Sequence, residues 1–84
     1  MKINIEINDG ELIHIWEGSG AQIMVSKEET KTLTSFTSVD DAISALYLAG
    51  HKTAARKLHA VNKEAADHWQ RLRAEYPAIE RAAL

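Results

Sequence analysis

The stretch NDGELIHIWEGSG, residues 8–20, holds two glycine-centred turns around a short apolar run, with His14 and Trp16 near its middle. The faces those two rings occupy depend on how the turns close. Ahead of it, Ile3, Ile5 and Ile7 alternate with Lys2, Asn4 and Glu6. Ile13 and Ile15 lie within it, and Ile23 and Val25 follow, all with the period-two spacing of half-buried strands. A two-residue Asp9-Gly10 turn would set Ile5 opposite His14. A three-residue loop, Asn8-Asp9-Gly10 with Gly10 left-handed, sets Ile5 opposite Ile13 and Ile3 opposite Ile15. A one-residue slip moves every side chain to the other face. The three-residue loop is preferred, because the same length at Gly18-Ser19-Gly20 pairs Ile15 with Ile23 and Ile13 with Val25. One face then collects the isoleucines and Val25. The other carries Asn4, Glu6, Leu12, His14, Trp16, Gln22 and Met24, and His14 and Trp16 are expected to point outward.

The residues from Lys27 to Thr37, KEETKTLTSFT, read as a charged turn leading into a loop or a short fourth strand. Ser38 followed by Asp41 forms a capping-box-like start, and Asp40 and Asp41 suit the positive end of a helix dipole. A first helix over about Val39–Ala49, with Gly50 as its stop, is apolar on both sides: Ile43, Leu46 and Tyr47 share one face while Ala45 and Leu48 point away. Ala54, Leu58, Val61, Ala65, Trp69, Leu72 and Tyr76 keep a 3.6-residue period, predicting one long second helix from near Thr53 to Pro77. At roughly 24 residues it would span about 36 Å, long enough to project or to pack on a second subunit. Pro77 would open a further helical turn over 77–84. The turn ALYLAGHKTAARKL resembles the middle of a tetratricopeptide-type hairpin in the spacing of Gly50 and Ala55, which implies αα-hairpin geometry and no solenoid.

The expected fold class is therefore α+β: an antiparallel meander of three or four strands over residues 1–37, an αα-hairpin over 38–76 and a C-terminal turn, as a single domain. At 84 residues, 45% hydrophobic and 26% charged, the chain has ordinary globular composition and a small core. It has no cysteine, so disulfides and thiolate metal sites are excluded. Its opening residues alternate polar and apolar and carry acids, unlike a targeting signal, and no apolar run approaches the ~20 residues of a membrane span. A cytoplasmic protein with no membrane partner is expected. Net charge is -2, unevenly spread: residues 1–50 hold three lysines against eight acids, and residues 51–84 hold seven bases against four acids.

Four histidines, His14, His51, His59 and His68, invite a metal reading. On one continuous helix, however, His59 and His68 stand on opposite flanks, and Glu64 with His68 makes an ordinary i, i+4 surface pair. No nucleophile elbow or phosphate loop is present, and capping accounts for Asp40 and Asp41. The expectation is a non-enzymatic protein without metal or cofactor. Two surfaces remain as candidates. One is the outward Leu12, His14, Trp16 and Met24 patch, a protein-binding hot spot unless another element such as TLTSF covers it. The other is a basic ridge of Lys52, Arg56, His59 and Lys63, about 16 Å long, which could follow phosphates or an acidic protein. In size, lack of cysteine, acidic first half and absence of catalytic motifs, the layout resembles the small inhibitors made by phages and mobile elements, including anti-CRISPR proteins. That resemblance implies a binding protein that masks a host protein. The alternatives are a nucleic-acid-binding or nucleoprotein accessory factor using the ridge, and a homodimer or larger assembly built through the long helix.

Overall fold

The computed structural model describes residues 3–81, apart from the side chain of Glu64; residues 1–2 and 82–84, the latter part of the expected C-terminal turn, lie outside the described residues. The four strands are β1 (Asn4–Asn8), β2 (Leu12–Glu17), β3 (Ile23–Lys27) and β4 (Thr32–Phe36). They pair with their sequence neighbours in one antiparallel sheet of order β1-β2-β3-β4. The stretch TLTSF is thus a fourth strand. The helices α1 (Val39–Leu48), α2 (Lys52–Val61), α3 (Ala66–Glu75) and α4 (Pro77–Arg81) follow, making the protein α+β.

The faces of the sheet agree with the three-residue reading, while the partners differ from it by two residues. Ile5 lies opposite Ile15 and Ile7 opposite Ile13, because the first loop is Asp9-Gly10-Glu11 rather than Asn8-Asp9-Gly10. Gly10 takes the left-handed backbone expected of it, with φ +82°. At the second turn Ile15 faces Val25 and Glu17 faces Ile23. A 3-10 turn at Ser19–Ala21 lengthens that loop, and the Gly18 N–H closes it by donating to the Gln22 carbonyl at 2.7 Å. A slip of two leaves every side chain on its original face, so Ile3, Ile5, Ile13, Ile15, Ile23 and Val25 still enter one core with α1, α2 and α3.

Helix α1 begins where expected. The Ser38 hydroxyl accepts the Asp41 N–H at 3.1 Å, satisfying one of the donors that a helix start leaves open. It ends in a Schellman arrangement: the His51 N–H donates to the Leu46 carbonyl at 2.8 Å and the Gly50 N–H to Tyr47 at 3.1 Å. Gly50, at φ +91°, supplies the left-handed residue that this closure needs.

The long second helix is not continuous. It breaks at buried Asn62, whose backbone is non-helical at φ -138° and ψ 85°, and a 3-10 turn at Lys63–Ala65 redirects the chain into α3. The apolar period runs through this break unaltered because α2 and α3 both turn their apolar sides into the same core. The stripe's exceptions mark the helix ends: Val61 is 48% exposed and Tyr76 38%. Rather than projecting, α3 folds back on α1. Trp69 meets Tyr47 edge to face with ring centroids 5.4 Å apart and stacks on His59 at 5.6 Å, with the Arg73 guanidinium 5.9 Å from its ring. His68 Nε2 bonds the Ser44 hydroxyl at 2.6 Å.

Helix α4 closes over this cluster. The buried Tyr47 hydroxyl donates to Glu80 Oε2 at 2.6 Å, Arg73 Nε donates to Glu80 Oε1 at 2.9 Å, and Lys52 Nζ donates to the Glu80 carbonyl at 2.7 Å. Burial, with help from the Glu80 carboxylate, pushes the Tyr47 hydroxyl up to about 12. Donation from Tyr47 in turn holds Glu80 below the ordinary carboxylate range, although burial acts against it. Because Trp69 joins α1, α2 and α3 at one point, Trp69→Ala should lower unfolding free energy by ~3–5 kcal/mol, measured by chemical denaturation.

Candidate interaction surface

With the helices on one side of the sheet, the alternate side chains of each strand form its other face. Leu12, His14 and Trp16 project from β2, Met24 and Ser26 from β3, and Leu33 and Ser35 from β4. Cross-strand register brings them together: Trp16 lies opposite Met24 and His14 opposite Ser26, which in turn lies opposite Leu33. The sequence patch is therefore one contiguous surface. Residues 32–36 do not cover it, because β4 joins the sheet edge-on and widens the face instead.

His14 and Trp16, two residues apart on one strand, stack with ring centroids 4.5 Å apart. The imidazole is held by Asn4 on β1, its Nε2 lying 2.8 Å from Asn4 Oδ1. Trp16 is half-buried by these neighbours rather than fully open, and Met24 is half-buried across from it. Gly18 makes room for Met24: a Cβ added there would stand 2.8 Å from the Met24 Cγ. The more open apolar groups are Leu12, 44% exposed, and Leu33, 64% exposed. They flank a shallow cleft of about 370 Å³ lined also by His14, Ser26, Lys27, Glu28, Lys31 and Thr32. Leu33 was missed in the sequence because its facing depends on β4 being a strand in this register.

The basic ridge does not form. Its spacing assumed one straight helix, but the break at Asn62 separates Lys63 from the rest. Lys52 is buried, holding α4 through the Glu80 carbonyl. His59 is turned onto Trp69, and its Nε2 is buried with no hydrogen-bond partner among the described residues. Arg56 and Lys63 stay exposed, as does Lys57, which was not counted in the ridge.

A polar cluster unforeseen in the sequence ties the first hairpin to the helices. The Asp9 carboxylate accepts the Ala54 N–H at 3.0 Å, capping α2 from a distance of 45 positions along the chain. His51 precedes α2 without a side-chain cap of its own. Its Nδ1 lies 2.9 Å from the Asp9 carbonyl and its Nε2 3.5 Å from Glu11 Oε2. Glu11 Oε1 accepts both the Thr30 N–H, at 3.0 Å, and the Thr30 hydroxyl, at 3.1 Å. Sequence spacing explained Asp9 and Gly10 as turn formers, and nothing local linked them to residues 51–54. Among the described residues, no group of three histidines or acids is placed to hold a metal ion, and no helix is long and apolar enough to cross a membrane. The chain matches no protein-family model, no curated protein and no solved structure.

The Thr30 N–H, bonded to the Glu11 carboxylate, lowers its pKa from the ordinary 4.5, with burial opposing and the Thr30 hydroxyl and His51 assisting. A carboxyl whose folded pKa lies below its unfolded one contributes stability above the unfolded value and loses it as pH falls through the folded value. Glu11→Gln should therefore be less stable than the parent near neutral pH, and the gap should narrow as denaturation curves are taken down to about pH 3.

Proposed function

We propose that this protein works by binding another protein through the outer face of its sheet, in the cytoplasm and without catalysis. The observation that carries this reading is the contiguous, helix-free surface formed by Leu12, His14, Trp16, Met24 and Leu33. It combines a pre-stacked aromatic pair with two well-exposed leucines. Large, rigid side chains already fixed by neighbours bind with little loss of conformational freedom, which is why such groups dominate interface energetics. Lys27, Glu28 and Lys31 around the cleft provide a polar rim of mixed sign.

Masking a host target in this way fits the layout shared with phage and mobile-element inhibitors, including anti-CRISPR proteins. A nucleic-acid accessory role draws less support. Arg56, Lys57 and Lys63 remain as exposed cations on and after α2, and without Lys52 and His59 they make no continuous phosphate track.

The test is affinity capture from the native host, with and without nuclease, followed by mass spectrometry and affinity measurement on the captured protein. Trp16→Ala should weaken binding by at least ~2 kcal/mol, some thirtyfold, with the circular dichroism spectrum retained. Leu12→Glu with Leu33→Glu should abolish capture, while Arg56→Glu with Lys63→Glu should leave it intact. Patch variants that capture the same protein as the parent, or a partner lost on nuclease treatment, would overturn the proposal.

A further inference from the structure

On the helix-facing side of β3 and β4 the cover is incomplete. Val25 is buried and Phe36 half-buried against the core, whereas Thr34, directly opposite Val25, is exposed. Helix α1 touches both strands without filling the space beside them. A cleft of about 280 Å³ remains there, lined by Val25, Lys27, Thr34, Phe36, Ala45 and Leu46. Its strand residues share one face of the sheet by register, since Lys27 lies opposite Thr32, Val25 opposite Thr34 and Ile23 opposite Phe36. The cleft is thus on the other side of the sheet from the Leu12, His14 and Trp16 patch, and it owes nothing to the protein-binding reading.

Val25, Phe36, Ala45 and Leu46 make its walls apolar, and its charge is of one sign. Lys27 is half-buried, and among the described residues it has neither an ion pair nor a side-chain hydrogen bond. Drawing an ammonium partly out of water without an anion beside it is unfavourable. The cleft beside β1 carries Glu6 with Lys57, and those at the turns of the sheet carry Glu28 with Lys31, so each of these already holds both signs. The cleft under α1 holds a cation alone. An apolar concavity with a few polar groups to fix orientation is the usual construction of a small-molecule site.

We infer that this cleft binds a small monocarboxylate with an apolar body. Its carboxylate pairs with the Lys27 ammonium, and its hydrocarbon runs along β4 to Phe36, beneath Ala45 and Leu46. Charge-assisted hydrogen bonding is strongest for such a pair, and the ligand supplies the anion that the protein does not. The size of the site sets the size of the acid. Lys27 stands opposite Thr32, four residues along β4 from Phe36, about 13 Å at the rise of a strand, a span suited to a chain of about eight carbons. The volume, just below the ~300–1,000 Å³ of drug-sized pockets, agrees with a ligand of that size.

The test is titration of the isotope-labelled full chain with octanoate, octanol and octylammonium, read by amide NMR up to about 10 mM, a range suited to a ligand of roughly ten non-hydrogen atoms. Octanoate should give saturable shifts clustered at the cleft-lining amides, with octanol weaker at the same positions and octylammonium weakest. Lys27→Gln should weaken octanoate about fivefold or more while leaving octanol unchanged, so that the preference between them disappears. Lys57→Gln, on α2, should change neither. Ala45→Phe and Thr34→Phe fill the cleft from opposite walls, and each should abolish the shifts. Thr34 is exposed, so its substitution tests the site even where Ala45→Phe disturbs packing. Octanoate without saturable shifts at these amides would overturn the inference. So would binding no tighter than that of octanol, a preference that survives Lys27→Gln, or shifts that persist in Thr34→Phe.

Discussion

The carboxylate of Asp9 supplies what α2 lacks in its own turn. A helix start leaves backbone donors open, and His51 brings no side-chain cap to this one. The bond from the Ala54 N–H to Asp9 meets part of that demand from the tip of the first hairpin. It also fixes where the helices rest. With the His51 ring held to the Asp9 carbonyl, and Glu11 beside it held by Thr30, two of the sheet's turns and the turn between α1 and α2 share one hydrogen-bonded corner. The isoleucine face of the sheet and the apolar sides of the helices attract without direction. The polar corner provides the direction.

Layering of the sheet was legible in the sequence because a period of two survives an error of two. The pairing Ile5 with Ile13, inferred from loop length, gives way to Ile5 with Ile15, yet both keep the isoleucines inward and His14 with Trp16 outward. The same robustness hid the break in the second helix. A 3.6-residue stripe shows which side of a segment is buried, not that its axis is straight, and neither glycine nor proline marks Asn62. The candidate patch was accessible to this reasoning because it depends only on parity. The ridge was not, because it required axial continuity over eleven positions, and because Lys52 and His59 were assigned to the surface by residue type when tertiary partners, Glu80 and Trp69, draw both inward. Contacts such as Asp9 with Ala54 carry no local trace at all.

The helical layer is held by polar pairs as well as by shape. Tyr47, fully buried on α1, reaches Glu80 on α4, and Glu80 also takes Arg73 of α3 and, through its carbonyl, Lys52 of α2. One short terminal helix thereby touches each of the other three. A buried hydroxyl left without its acceptor is costly, so α4 is coupled to the core although none of its own residues is fully buried.

The strand order carries a kinetic consequence. Every strand pairs with its immediate neighbour in sequence, so the sheet can zip hairpin by hairpin with short loops to close, a topology of low contact order that favours rapid formation. The corner that joins Asp9 to Ala54 spans more than half the chain and must be closed against a far larger loss of chain freedom. Until it closes, the isoleucine face stands open to water. The interval between zipping and capping is therefore when encounters between chains carry the greatest risk of misassembly.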